Sequence, residues 1–120
     1  FPAGLVDAGE SAEEAARREL KEETGLSVVR FLKTSPPLYS SAGMTDESVS
    51  LVYVECDGEP SAESEEESEQ IDVMFVSAVE AARLCADPTI KFDARAWLVI
   101  ERFAATGRLV GPAVSSSAVC

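Results

Sequence analysis

Three glutamates stand close together in one short stretch of this sequence. Glu19, Glu22 and Glu23 are spaced i, i+3 and i+4, which places their carboxylates on one face of a helix. By the same periodicity the basic residues of the stretch fall on other faces: Arg17, Arg18 and Lys21. Clustered carboxylates repel one another, and their hard oxygens are the ligands that Mg²⁺ or Mn²⁺ prefers. The pattern predicts a divalent-cation site, and the alternative is a solvated acidic stripe.

The overall composition restricts the chemistry further. The 120 residues include no histidine, and 22 acidic against 10 basic residues give a formal charge of −12. Without histidine there is no Ser-His-Asp triad, no histidine-activated cysteine and no histidine-ligated zinc, so acid–base chemistry must use carboxylates, lysine, tyrosine or metal-bound water. The acidic balance argues against binding to nucleic acid or an anionic membrane. An acidic chain that handles phosphates needs a divalent cation between the two.

The glutamates lie on the best-marked element of the chain. Ser11 and Glu14 form a capping box and Gly25 stands at a C-cap position, so a helix is predicted over 11–24. The other predicted elements are strands over 26–33, 49–56 and 71–76 and helices over 77–85 and 92–105. This order predicts an α+β domain, with few strands for so much helix.

The stretch from residue 4 to residue 26 resembles the Nudix box at every specified position. That pattern is Gly, five residues, Glu, seven residues, Arg-Glu, an aliphatic residue, any residue, Glu-Glu, any residue, Gly and an aliphatic residue. The matching residues are Gly4, Glu10, Arg18, Glu19, Leu20, Glu22, Glu23, Gly25 and Leu26. Nine positions at fixed spacing are far more specific than a lone glycine-rich loop.

The resemblance implies a Mg²⁺-dependent Nudix hydrolase, with Mn²⁺ possible, that cleaves the pyrophosphate of a nucleoside diphosphate derivative. It implies the Nudix fold, an α/β/α sandwich around a mixed sheet. By the same resemblance Glu19 and Glu23 are the principal metal ligands, Glu22 serves as a ligand or in catalysis, and the Ala3 carbonyl completes the shell. Arg18 is implied to be a structural partner of the glutamates, and the other structural positions of the motif are Gly4, Glu10 and Gly25.

Segments outside the box resemble the ADP-ribose pyrophosphatase branch of the family: 1–5, 41–47 and 91–95. This implies hydrolysis of ADP-ribose to AMP and ribose 5-phosphate. The substrate-binding residues implied are Leu5, Ser41, Gly43 and Met44. Members of the branch commonly carry Pro-Gly in the middle segment, where this chain has Ala42 before the glycine. A UDP-sugar or GDP-sugar substrate therefore stays open.

One further glutamate is implied as the group that orients or deprotonates the water. In the branch this residue lies in a loop after the box, just before a strand, and Glu69 matches that position. The acidic run around it is also typical of a solvated loop, and Glu66 or Glu67 remains an alternative.

The box begins at residue 4, whereas Nudix folds place strands before it. We therefore expect an N-terminally incomplete Nudix domain over 1–107, a loose tail over 108–120, and weak stability and activity for the chain alone. Three widely spaced cysteines without a CxxC pattern predict a cytoplasmic location. The resemblance implies an enzyme that dimerises with itself through the absent N-terminal region. The alternative from a different class is a Nudix-like module that binds a nucleotide without hydrolysing it.

Overall fold

The computed structural model describes residues 1–61 and 72–111, which belong to two separate units. The sheet unit, Pro2–Val73, contains one helix and two strands, and the helical unit begins at Met74 and contains two helices. The elements are α1 (Ala12–Thr24), β1 (Ser27–Thr34), β2 (Val52–Asp57), α2 (Ala78–Ala86) and α3 (Ala94–Thr106). Helices together with a small antiparallel sheet agree with the predicted α+β class. In the part of the chain that is described, no helix is both long and apolar enough to span a bilayer.

Helix α1 begins and ends where its capping residues predict. The Ser11 hydroxyl accepts a bond from the Glu14 backbone N–H, and the Glu14 carboxylate accepts one from the Ser11 N–H. At the other end Gly25 adopts φ +76° and donates its N–H to the Lys21 carbonyl, a left-handed cap that favours glycine. Thr24 is buried there, donates to the Leu20 carbonyl at 2.6 Å, and so ends the helix with its polar group satisfied.

Strands β1 and β2 form an antiparallel pair in which β1 is irregular twice. The register shifts between Val28 and Arg30 and again between Phe31 and Lys33, each shift leaving one extra residue on β1. The paired positions Val28–Cys56, Phe31–Val54 and Thr34–Val52 therefore match every third residue of β1 to every second residue of β2. A strand without bulges would alternate its faces strictly, so these bulges decide which β1 side chains face the helix.

The core of the sheet unit lies between α1 and these strands. Its buried members are Leu20, Leu26 and Val54. The partly buried side chains packed against them come from both strands: Val28, Phe31, Val52 and Cys56. Beyond the strands, Leu38 and Val49 exchange two backbone bonds of 2.8 and 2.9 Å, so the predicted strand over 49–56 forms as an isolated bridge followed by β2.

The strand predicted over 71–76 is wrong for the residues that the structure describes. Residues 72–77 form neither strand nor helix, and residue 71 lies outside the described ranges. A strand needs a hydrogen-bonded neighbour, and the sheet of the described residues contains β1 and β2 alone. The sequence pattern correctly identified an apolar segment. It could not indicate whether another strand would pair with that segment.

In the helical unit, α2 and α3 both begin at capping residues. Ser77 and Glu80 form a second capping box, and the Asp93 carboxylate accepts bonds from the backbone N–H groups of Arg95 and Ala96. The Asp93–Arg95 ion pair, at 3.0 Å, and these bonds lower the pKa of Asp93 to about 2. Helix α3 begins at Ala94, two residues after the start predicted at residue 92, because Asp93 is the N-cap and not part of the helix.

Candidate functional site

The N-terminal segment of the sheet unit lies along the glutamate-bearing face of α1. The Ala3 backbone N–H donates to Glu23 Oε2 at 3.1 Å. Gly4 lies so close to the Glu19 carboxylate that a Cβ atom on residue 4 would overlap it. The Leu5 carbonyl accepts a bond of 2.9 Å from the Arg18 guanidinium. Three consecutive residues thus each contact a different side chain of the helix.

Arg18 is the centre of the charged network. Its Nε and Nη2 donate to the two carboxylate oxygens of Glu10 at 3.1 and 2.9 Å, a bidentate pairing. Its Nη1 donates to Glu19 Oε1 at 2.6 Å and lies 3.6 Å from Glu22 Oε2. Arg18 was predicted on a face away from the glutamates, and this is wrong because Arg18 and Glu22 are spaced i, i+4 and are therefore neighbours on the helix surface.

Electrostatics within this network follows from those contacts. The hydrogen bonds from Arg18 lower the pKa of the Glu10 carboxyl, and the bond from the Asp7 backbone N–H lowers it further. In turn the hydrogen bonds to Glu10 and Glu19 raise the pKa of Arg18. Both groups are therefore held in their charged forms at neutral pH.

Asp7 belongs to the same network, although the sequence analysis did not single it out. The Glu10 N–H donates to the Asp7 carbonyl at 3.0 Å and the Asp7 N–H donates to Glu10 Oε1 at 3.0 Å, which closes a tight turn before α1. The Asp7 carboxylate lies 3.6 Å from Arg18 Nη2. The position of Asp7, three residues before Glu10, was the sequence feature that could have indicated its part in this network.

The site carries a large excess of negative charge. Asp7, Glu10, Glu19 and Glu22 lie within 3.6 Å of the Arg18 guanidinium, and Glu23 accepts the Ala3 N–H. Together these five carboxylates and the Arg18 guanidinium sum to a formal charge of −4. The Glu19 side chain is 16% exposed and that of Glu22 is 60% exposed. These oxygen donors have the chemistry that Mg²⁺ and Mn²⁺ require.

The carboxylates are not gathered around a common point. Within residues 1–61 and 72–111, no three aspartate, glutamate, cysteine or histidine side chains lie close enough together to hold a metal ion. The hydrogen bonds explain this arrangement, because Glu19 is drawn to Arg18 while Glu23 is drawn to the Ala3 N–H. The donor set fits a hard divalent cation, but the side chains would need to rotate to bind one.

Comparison with known proteins assigns the chain to a family. A NUDIX domain model matches residues 1–99. The chain belongs to the Nudix family. Members of this family generally use divalent metal ions and act on small nucleotide substrates.

Individual relatives agree with this assignment over parts of their length. A protein named putative nudix hydrolase 2 from Caenorhabditis elegans is 49% identical over 59 residues, which are 49% of this chain and 26% of the relative. The ADP-ribose pyrophosphatase of Saccharomyces cerevisiae is 49% identical over 57 residues, 48% of this chain and 24% of the relative. The ADP-ribose pyrophosphatase of Bacillus subtilis is 33% identical over 105 residues, 84% of this chain and 54% of the relative. The chain therefore spans between about a quarter and about half of the length of these curated relatives.

The side of the Nudix helix that contacts β1 is held there by two pairs that the sequence analysis missed. The Thr34 hydroxyl donates to Glu13 Oε1 at 2.8 Å, and this bond lowers the pKa of Glu13. The Arg17 guanidinium carbon lies 5.0 Å from the centroid of the Phe31 ring, a cation–π contact. The spacing of Glu13, Arg17 and Leu20 along one helix face was the signal that could have indicated them.

The remaining predicted residues of the Nudix site do not join this network. Ser41, Gly43 and Met44 lie in a turn of their own, in which the Met44 and Thr45 N–H groups both donate to the Ser41 carbonyl. Gly43 has φ +88°, which favours glycine, and the Met44 side chain is 87% exposed. Glu69, predicted to act on the water, lies outside the described residues, as do Glu66 and Glu67.

Proposed function

We propose that this chain is the Nudix part of a Mg²⁺-dependent hydrolase that converts ADP-ribose and water to AMP and ribose 5-phosphate. The observation that carries the proposal is the apposition of segment 3–5 to α1, because it brings the first residues of the box against the Glu19, Glu23 and Arg18 side chains. Two relatives named ADP-ribose pyrophosphatase support the choice of substrate.

The residues that would hold the cation are Glu19, Glu22 and Glu23, together with the Ala3 carbonyl. A bound Mg²⁺ would neutralise charge on the diphosphate and lower the pKa of the attacking water. Of Glu19, Glu22 and Glu23, only Glu22 is an exposed residue, with 60% of its side chain exposed, so it is the one best able to turn toward a ligand. Mn²⁺ has the same preference for oxygen donors and is expected to substitute.

Arg18 and Glu10 keep the carboxylates in place. Their bidentate pair ties the turn before α1 to the helix, while Arg18 Nη1 holds Glu19 at 2.6 Å. Arg18 offsets part of the repulsion among the acidic groups, so that α1 tolerates them. We assign Arg18, Glu10, Gly4 and Gly25 to this structural role and not to contact with substrate.

For substrate binding we propose Leu5 and the turn that contains Ser41, Gly43 and Met44. Leu5 and Met44 are 86% and 87% exposed, and such apolar side chains are available to cover part of a nucleotide. The Leu5 carbonyl is already held by Arg18, so its side chain projects from an anchored backbone.

A panel of nucleoside diphosphate derivatives tests the proposal directly. The full-length gene product is incubated with Mg²⁺ and ADP-ribose, UDP-sugars or GDP-sugars, and the products are identified by mass. We expect AMP and ribose 5-phosphate from ADP-ribose, and no turnover when the metal is removed with EDTA. Faster cleavage of a UDP-sugar or GDP-sugar would replace the proposed substrate, and Ala42 is the residue that favours this second candidate.

Tight nucleotide binding without cleavage of any panel member would instead indicate a nucleotide-binding module. The partial coverage of the relatives favours testing the full-length gene product and this chain side by side. Dimerisation through a region outside this chain and a cytoplasmic location are further parts of the proposal, which sedimentation and fractionation of the full-length product would test.

Glu69→Gln tests the proposed role of that residue toward the water. A carboxamide keeps the size of the side chain but cannot take a proton, and losing one general base typically lowers a rate by about 10²–10⁴. We expect a loss of kcat in that range while Mn²⁺ affinity, measured by electron paramagnetic resonance, is unchanged. An unchanged kcat would move the role to Glu66 or Glu67, and Glu59→Gln is the matched control for the change of charge.

A further inference from the structure

The geometry points to Glu13 and Arg17 as positioning residues that set the Nudix helix on β1 and thereby aim its carboxylates at segment 3–5. They lie on the face of α1 that contacts the strand and contact neither Ala3, Gly4 nor Leu5 through a hydrogen bond or ion pair in the described chain. The inference rests on the proposed function, because it assigns these residues a role in that same site.

The contacts run in order along the two elements. Glu13 is paired with Thr34 at 2.8 Å and Arg17 with Phe31 at 5.0 Å from the ring centroid. Leu20 follows and is buried in the cluster that Val28 and Phe31 pack against. Residues spaced i, i+4 and i+7 on the helix thus meet the strand in reverse order. Because these three contacts differ in chemistry, a single register of α1 on β1 satisfies all of them.

The two bulges of β1 make this register possible. Thr34, Phe31 and Val28 are three residues apart, so strict alternation would put Phe31 on the opposite face from the other two. Each bulge adds one residue and returns the next side chain to the helix-facing side. A helix shifted by one turn would bring Arg17 toward Thr34 and lose both pairs.

Positioning follows because the two faces of α1 are rigidly coupled. At about 100° per residue, Glu13, Arg17 and Leu20 lie within a sector of about 60°, and Glu19, Glu22 and Glu23 lie outside this sector. Rotation or sliding of α1 on β1 therefore displaces Glu19 and Glu23 relative to Gly4 and the Ala3 N–H. Both pairs are partly exposed to solvent, so they add little to the buried core.

Thr34→Val tests this inference, because valine keeps the shape of threonine and removes the hydroxyl that donates to Glu13. The first readout needs neither metal nor substrate: exchange of the Arg18 Nε–H with water, measured by NMR, reports the bond to Glu10. We expect exchange about tenfold faster in Thr34→Val. The second readout is ADP-ribose hydrolysis, in which kcat falls about tenfold or more while KM changes less than about threefold.

Two matched variants separate positioning from a general loss of stability. Thr34→Ser keeps the hydroxyl and is expected to restore both readouts. Thr106→Val removes a hydroxyl that donates to the Arg102 carbonyl at 2.8 Å in the helical unit, and both readouts should stay as in the wild type.

The outcomes distinguish this inference from the proposed function. A wild-type exchange rate at Arg18 in Thr34→Val, or a Thr34→Ser variant as impaired as Thr34→Val, overturns the positioning role. An active wild type with unchanged kcat in Thr34→Val also overturns it. If the wild type does not hydrolyse ADP-ribose, the proposed function fails, and the exchange measurement still decides whether Thr34 and Glu13 hold the network at Arg18.

Discussion

Glu23→Gln is expected to lower the turnover of ADP-ribose by about a thousandfold at saturating Mg²⁺. The amide still offers an oxygen to the Ala3 N–H, which Glu23 Oε2 now contacts at 3.1 Å, so the backbone arrangement survives. What the amide lacks is the negative charge that makes a carboxylate a stronger ligand for a divalent cation than a neutral carbonyl oxygen. Steady-state kinetics with ADP-ribose, together with Mn²⁺ binding measured by electron paramagnetic resonance, checks both effects.

The same substitution should leave the metal-free protein as stable as before, or slightly more stable. Glu23 follows Glu19 and Glu22 at helical spacings of four and one, and neutralising it removes like-charge repulsion with Glu19 worth about a few tenths of a kcal/mol. Thermal unfolding in EDTA measures this. Glu101→Gln, an exposed glutamate on α3, is the matched control and should keep wild-type turnover. Wild-type turnover in Glu23→Gln itself would refute the metal-ligand assignment.

Features of the fold that depend on neighbouring residues could be predicted from the sequence. The Ser11–Glu14 capping box and the Gly25 cap bound α1 as predicted, since each contact joins residues only a few positions apart. The second capping box, at Ser77 and Glu80, was predicted for the same reason. The glutamate spacing likewise follows from helical geometry alone.

Features that depend on distant partners could not be predicted in the same way. The bulges of β1 arise from its pairing with β2, and apolar residues at 28, 29, 31 and 32 suit several registers equally well. The apolar segment over 72–76 has the composition of a strand, but composition does not supply a neighbour to pair with. The free energy of strand pairing depends on both segments, so it cannot be inferred from the sequence of either segment alone.

The two adjacent arginines of α1 illustrate the same limit at the site. Arg17 lies over Phe31 and Arg18 reaches Glu10 and Glu19, although both are long cations with similar freedom. The resemblance to the Nudix box suggested the role of Arg18, whereas its assignment to another helix face overlooked the i, i+4 spacing between Arg18 and Glu22. The two arginines have different partners because they lie on faces of α1 that contact different parts of the chain. Those contacts form only when the chain folds.

Gly4→Ala is expected to lower kcat/KM for ADP-ribose about a hundredfold with little loss of stability. The φ angle of Gly4 is not positive, so the backbone conformation does not require glycine at this position. The requirement is space, because a methyl group would overlap the Glu19 carboxylate. Glu19 cannot swing aside freely, since Arg18 Nη1 holds it at 2.6 Å and its side chain is only 16% exposed.

The methyl group must therefore displace either Glu19 from Arg18 or segment 3–5 from α1, and either movement separates groups that the proposed site needs together. Kinetics with ADP-ribose and exchange of the Arg18 Nε–H measure the two consequences independently. Gly111→Ala is the matched control, because Gly111 also lacks a positive φ and has no atom within 4 Å of the added carbon. If Gly4→Ala retained wild-type kcat/KM, the close approach of residue 4 to Glu19 would be irrelevant to catalysis, and the structural role assigned to this glycine would be wrong.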